Sequence, residues 1–208
     1  MLDDSEAFAL LADFGVPMTS YAITRSLSDT MSAADQLGYP VALKITGVAH
    51  KSEAGGVMVG LGSRADLIHA WEALSPLTKD LVVQPMAPSG VELALGLVSD
   101  PQFGPILVLA AGGVLAELVG DRVTALPPIN HQRALSLLSQ LKVSKLLVEH
   151  RGRSAADVDS VAGAIVGLSN LAFHLRDEID SIDVNPLIAH PGGCVAVDAL
   201  VVNRPTAN

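Results

Sequence analysis

Gly-Tyr-Pro-Val-Ala-Leu-Lys-Ile (38–45), followed after four residues by His-Lys-Ser-Glu-Ala-Gly-Gly-Val (50–57), decides how the chain is read. The first stretch is an apolar strand that delivers Lys44. The second presents His50, Lys51 and the pair Gly55 and Gly56 in a short loop. Glycine lets main-chain N–H groups approach phosphate oxygens closely, and lysine adds a mobile point charge. Two cations beside a glycine-bearing backbone suit a triphosphate. A tight hairpin with two exposed lysines fits the same residues, because glycine-bearing loops are common.

The elements around this stretch alternate. A helix is expected over 5–14 with Ser5 as N-cap and Gly15 past its end, then a strand over 19–24. Ser28 opens a second helix that stops at Gly38. Strands follow at 40–45 and 56–61, and Ser63 with Asp66 caps a helix through Leu74. Further strands are read near 81–86, 91–98, 105–110 and 114–119, and Leu126-Pro127-Pro128 breaks the chain. Helices fit 130–140 and 154–175, the latter opened by Ser154 and Asp157. The end reads as strands near 179–184 and 193–201, joined through Pro191-Gly192-Gly193. This order implies α/β or α+β lobes.

A second constellation lies near the C-terminus. Ile-Asp-Val-Asn-Pro-Leu (182–187) puts Asp183 and Asn185 two apart, on one face of a strand. If this strand pairs with 194–200, Asp198 lies opposite that face. Oxygen ligands grouped this way suit Mg²⁺, which takes one or two carboxylates plus phosphate oxygens and waters. The competing reading is a turn started by Asn185-Pro186 and capped by Asp183.

Composition narrows the alternatives. The 208 residues can bury a sizeable core, half of them are hydrophobic, and aromatics are only 3%. The core must therefore be aliphatic. A net charge of −9 disfavours nucleic acid. Cys194 is the only cysteine, so no internal disulfide forms, which fits a cytoplasmic location. The start, Met-Leu-Asp-Asp-Ser-Glu, is acidic where a signal peptide is basic, and no apolar run reaches membrane-spanning length. Gly60, Gly62 and Ala65 mimic a dinucleotide fingerprint, but the acid that should end the next strand, Asp80, begins it instead. No Walker A sequence is present, the six histidines are dispersed, and no nucleophile elbow appears.

Taken jointly, the motifs resemble the ATP-grasp (beta) subunit of ADP-forming acyl-CoA synthetases, relatives of succinyl-CoA synthetase. The resemblance rests on residues 38–45, 50–57, Val-Gln-Pro-Met (83–86), Gly-Val-Glu-Leu-Ala-Leu-Gly (90–96), Asp-Pro-Gln-Phe-Gly-Pro (100–105), Gly-Gly-Val-Leu-Ala-Glu (112–117), Arg151-Gly152 and Asp-Val-Asn-Pro (183–186). Phe-Gly-Val-Pro (14–17) adds to it. It implies one ATP-grasp domain over 1–208, with a helix at 5–14, a small lobe over 15–86 and a larger nucleotide- and metal-binding lobe over 87–208.

The resemblance also implies roles. Lys44, Lys51, Gly55 and Gly56 would hold the phosphates of ATP or ADP, and the backbone of Gln84, Pro85 and Met86 would line the adenine pocket. Glu92 would sit near the ribose or hinge, the competing reading being an exposed strand glutamate. Asp183, Asn185 and Asp198 would hold Mg²⁺. Glu117 matches a family acid of undefined role. His50 would relay the phosphoryl group passed from a histidine of a CoA-binding, alpha-type partner subunit, with which the chain would assemble. Two departures stand out: Ser181 replaces an acid two residues before Asp183, and Ala125 replaces an arginine. They leave room for a degenerate regulatory or interaction module. No CoA-binding region is present in the sequence, so the resemblance implies no acyl-CoA formation by the chain alone.

Overall fold

A computed structural model describes residues 1–48, 51, 54–113, 120–149, 152 and 154–205. The chain divides into two compact units, Thr19–Ala87 and a larger one built from Met1–Met18 with Pro88–Asn208. The expected strand at 114–119 lies outside the described residues.

The smaller unit is a four-stranded antiparallel sheet with two helices on one face. Its elements are β1 (Ala22–Thr24), α2 (Leu27–Leu37), β2 (Val41–Ile45), β3 (Val57–Leu61), α3 (Arg64–Leu74) and β4 (Leu81–Pro85), in strand order β1-β4-β2-β3. Alternation along β2 and β4 sends Val41, Leu43, Ile45, Leu81 and Val83 into a core with Ala33 and Ala34 of α2 and Leu67, Ala70 and Leu74 of α3. The opposite face receives Ala42, Lys44, Val82 and Gln84. Ser63 caps α3 by accepting from the Asp66 N–H, as read from the sequence. The cap of α2 is Ser26 rather than Ser28. Asp80 precedes β4, where Arg25 Nε donates to its carboxylate at 2.6 Å and holds its pKa below the usual range. The acid of the dinucleotide-like pattern is thus the partner of an arginine next to β1.

The larger unit holds a six-stranded sheet in the order β10-β8-β5-β6-β7, with β9 also on β8. Its strands are β5 (Val91–Asp100), β6 (Gly104–Ala111), β7 (Arg122–Ala125), β8 (Ile179–His190), β9 (Gly193–Ala196) and β10 (Ala199–Asn203). Helix α1 (Asp4–Asp13) is capped by Asp3, not Ser5, through a capping box with Glu6. Helix α4 (His131–Gln140) starts at the Asn130 cap. Helix α5 (Val158–His174) starts at Asp157, whose carboxylate accepts from the Ser160 N–H and hydroxyl; those bonds hold its pKa below the ordinary value. Residues 154–157, expected in that helix, precede it. Leu93, Leu95 and Leu97 of β5 and Leu107 and Leu109 of β6 bury one face of the sheet. Val161, Ile165, Leu168 and Ala172 of α5 recur at helical spacing and are equally buried.

Two glycines in α5 have opposite meanings. A Cβ on Gly167 would stand 2.4 Å from the Phe14 carbonyl oxygen, so this glycine lets α5 pass the end of α1. Gly163, one turn earlier, has nothing within 4 Å. Gly→Ala inside a helix normally gains up to about 1 kcal/mol, and a backbone clash costs about 1–3 kcal/mol. Gly163→Ala is therefore expected to raise the melting temperature and Gly167→Ala to lower it, by about 2–4 °C per kcal/mol. Thermal unfolding of both variants checks the pair, and equal shifts would refute the close approach.

Candidate nucleotide and metal site

In the smaller unit the strand β2 and the loop after it carry the candidate phosphate contacts. Lys44 and Lys51 are 6% and 7% exposed, which rules out the reading of a hairpin with two exposed lysines. The loop is fixed at its end: Gly56 N–H donates to the Lys51 carbonyl at 2.8 Å, and Ile45 N–H to the Gly56 carbonyl at 2.9 Å. Gly55 takes a positive φ of 68°, and a Cβ on Gly56 would meet the Ile45 side chain at 2.3 Å. The backbone conformation favours glycine at Gly55, whereas at Gly56 it is the packed Ile45 side chain that leaves no room for a Cβ. His50 lies outside the described residues, as does Glu117.

Strand β4 carries the other nucleotide candidates of this unit. Gln84 pairs with Ala42 and Pro85 with Val41. Met86 leaves the sheet with its N–H donating to the Pro40 carbonyl at 3.0 Å. Gln84 is 1% exposed.

In the larger unit Glu92 is exposed on β5, and its carboxylate lies over Gly113. Gly113 has a φ of 65°, and a Cβ there would stand 2.4 Å from Glu92 Oε2. The Gly112 N–H donates to the Glu92 carbonyl at 2.8 Å. The first two residues of the Gly-Gly-Val-Leu-Ala-Glu motif are thus shaped around Glu92.

The C-terminal constellation is carried by one irregular strand. Strand β8 runs unbroken through Asn185-Pro186, which overturns the turn reading. Leu93 pairs with Leu187 and Leu95 with Val184, so two residues of β8 oppose Ala94 alone. This bulge switches the buried positions from Ile182 and Val184 to Leu187 and Ala189. Asp183 and Asn185 are left exposed on the side away from the core. Asp198 stands opposite Asn185, whose N–H donates to the Asp198 carbonyl at 3.3 Å. The Asp198 carboxylate accepts from Ala199 N–H at 3.0 Å. Gly96, which carries no side chain, is the residue paired with Asp183 on β5.

Asp183, Asn185 and Asp198 supply two carboxylates and an amide carbonyl, an oxygen-only set that fits Mg²⁺ completed by phosphate oxygens and water. Among the described residues no three His, Cys, Asp or Glu side chains group as a metal site on their own. Ser181 lies two positions before Asp183, paired with Val98 and Val202. Ala125 ends β7 opposite Leu107. Cys194 is buried on β9, and burial, with the Asp157 charge, pushes its thiol up to about 11; it is no nucleophile at neutral pH.

One residue with a clear local role gave no sequence signal. The Asp121 carboxylate, 8% exposed, accepts from the Lys142 and Val143 N–H groups at 2.8 Å each. It thereby holds the start of a 3₁₀ helix (Lys142–Leu146) to the start of β7. The two partners are 21 and 22 residues away, beyond any capping pattern.

A profile of the ATP-grasp domain family matches residues 1–202. The beta subunit of the ADP-forming acetate–CoA ligase I of Pyrococcus furiosus is 29% identical over 97% of this chain and 91% of that subunit. A structure of the dinucleotide-forming acetyl-coenzyme A synthetase 1 of Ca. Korarchaeum cryptofilum, in complex with coenzyme A, Ca-AMPCP and HgCl⁺, superposes with a TM-score of 0.91. Identity is 33%, covering 98% of this chain and 93% of the other. A second structure of that enzyme, with coenzyme A and Mg-AMPPCP and its phosphohistidine segment pointing towards the nucleotide site, gives a TM-score of 0.83. Identity there is 34%, over 97% and 92% of the two chains. Among the described residues no helix is long and apolar enough to cross a membrane.

Proposed function

The chain belongs to the ATP-grasp domain family, and from that premise we propose that it is the nucleotide-binding, beta-type subunit of an ADP-forming acyl-CoA synthetase. Lys44, Lys51 and the Gly55-Gly56 turn hold the phosphates of ATP or ADP, Gln84 to Met86 line the base, and Glu92 serves the ribose. Asp183, Asn185 and Asp198 hold Mg²⁺, which neutralises phosphate charge when bound. His50 relays the phosphoryl group: its ring nitrogen forms the N–P bond as the bond to the incoming carrier breaks, and ADP oxygen later displaces it to give ATP. Coenzyme A and the acid belong to an alpha-type partner subunit, and the two assemble as one enzyme.

The burial of both lysines carries this reading most directly. Buried cations next to a turn with a left-handed glycine at Gly55 are pre-organised for an anion. The beta-subunit relative, matched over nearly its whole length, supports the assignment to a subunit of this kind. The Mg-AMPPCP held by the Korarchaeum enzyme supports the nucleotide and the metal. Lys51→Ala removes a charged phosphate contact and is expected to weaken ADP binding by about 1.5–3 kcal/mol. Titration calorimetry with Mg²⁺ reads this; a wild-type protein that binds no nucleotide would end the proposal.

Ser181 and Ala125 favour one second reading, a nucleotide-binding regulatory module that no longer turns over. ADP binding is common to both readings. Acyl-CoA formation with the partner subunit separates them.

A further inference from the structure

Strand β7 carries a cation that the reading above leaves unused. Arg122 is the only lysine or arginine on the six strands of the larger sheet. It is exposed, and among the described residues its guanidinium has no hydrogen-bond or ion-pair partner. Arg25, Arg64, Arg176 and Arg204 are each held by a neighbouring carboxylate or carbonyl.

Register puts Arg122 in line with the metal candidates. Asp198 stands opposite Asn185, and the bulge in β8 sets Asn185 opposite Ala94. Ala94 pairs with Ala110, and Ala110 with Arg122. Leu93, Leu95, Leu109 and Ala111, the chain neighbours of the two alanines, are buried in the core, so this row lies on the opposite face of the sheet. Ala125, paired with buried Leu107, belongs to the core face and not to the row. Three strand spacings separate Asn185 from Arg122, about 14 Å, and the floor between them is two methyl groups. The other charged groups beside this floor, Glu92, Asp183 and Asp198, are acids. A metal on Asp183, Asn185 and Asp198 takes the phosphate oxygens turned towards β8 and β10. Oxygens turned the other way meet the alanines and then Arg122, whose planar fork of donors matches a phosphate group. Glu92, proposed for the ribose, is two strands and two residues from Arg122, about 12 Å, so the arginine is set for the phosphate farthest from the sugar.

We infer that Arg122 recognises the terminal phosphate of bound ATP, donating from its guanidinium to the oxygens on the side away from the metal. This rests on the nucleotide and metal reading above and adds to it a residue that no motif in the sequence marked. It also gives the site a means of telling a triphosphate from a diphosphate, because ADP has no group at that position.

The test titrates wild type, Arg122→Gln, Arg122→Glu and Arg133→Gln as full chains with ADP or the non-hydrolysable ATP analogue AMPPCP, with and without Mg²⁺, and melts each without ligand. Arg133 is exposed on α4, so its substitution removes the same charge from another element. Arg122→Gln is expected to bind AMPPCP roughly tenfold more weakly, the loss of one charged hydrogen bond, and ADP within about twofold of wild type. Arg122→Glu should lose more AMPPCP affinity than Arg122→Gln. The selective loss should persist without Mg²⁺, because the arginine does not act through the metal. Arg133→Gln should bind both ligands as wild type does, and all variants should melt with wild type, since exposed substitutions of this kind leave the core untouched. Unchanged AMPPCP binding by the Arg122 variants overturns the inference while nucleotide binding stands. So does an equal loss for AMPPCP and ADP, which would put the guanidinium at the inner phosphates. The same loss in Arg133→Gln overturns it as well, since net charge would then account for the effect. An Arg122→Gln protein that melts well below wild type also overturns it, because the side chain would then hold the edge strand. A wild type that binds neither ligand removes the nucleotide reading and the inference with it.

Discussion

Combined with a CoA-ligase partner subunit, the His50→Ala protein is expected to form acyl-CoA about a thousandfold more slowly than wild type, or worse. Imidazole is a competent nucleophile at neutral pH, where its uncharged form is well populated. Phosphoryl transfer otherwise depends on positioning and charge. Losing one positioning group slows such a reaction, whereas losing the atom that carries the phosphoryl group removes the route. Lys51, adjacent in sequence and 7% exposed, is the cation that would stabilise a phosphorylated imidazole on the proposed reading. The same substitution should change ADP affinity only a few-fold, because the proposed function puts the binding contacts on Lys44, Lys51 and the glycine turn. Turnover and calorimetry on one variant therefore separate a relay from a contact. Near-normal turnover would exclude an obligatory relay and leave His50 as a phosphate contact. The isolated chain should make no acyl-CoA in either form.

The sequence made the parts of this site legible where the signal was local. Ser63 with Asp66 gave the start of α3 correctly, because a capping pattern spans only three residues. The caps of α1 and α2 were misplaced by two residues, since Asp3 and Ser26 compete with nearby Ser5 and Ser28, and only the chain's entry angle selects between them. Strand β7 left no mark: Arg122–Ala125 is four residues long, and its pairing with β6 makes it a strand. The bulge at Asn185-Pro186 was hidden for a similar reason. A turn and a strand share those residue types, and only the pairing with β5 shows that one extra residue is absorbed there. Motif order told more than any single motif, because the alternatives for each piece, a hairpin or a turn, are independent and rarely fail together.

Asp198→Asn is expected to abolish most of the Mg²⁺ contribution to ADP binding while leaving metal-free binding nearly intact. Asparagine preserves the acceptor that takes the Ala199 N–H at 3.0 Å, so the chain between β9 and β10 keeps its local hydrogen bond. It removes the negative charge, and Mg²⁺ depends on a small number of protein carboxylates plus phosphate oxygens. With one of two carboxylates gone, affinity in saturating Mg²⁺ should fall roughly tenfold or more, and the loss without metal should be much smaller. Gly96 provides an independent check that leaves every ligand in place. It faces Asp183 across the β5–β8 pair, and a Cβ there meets Val108 at 3.5 Å, an ordinary van der Waals contact. Gly96→Leu would put apolar bulk beside the Asp183 carboxylate and should reproduce the metal-dependent loss. Equal losses with and without Mg²⁺ in Asp198→Asn, or full Mg²⁺ dependence in Gly96→Leu, would remove the metal from this face. A metal-selective loss in both would place it there through two substitutions that share no atom: one removes a charge, and the other only occupies space.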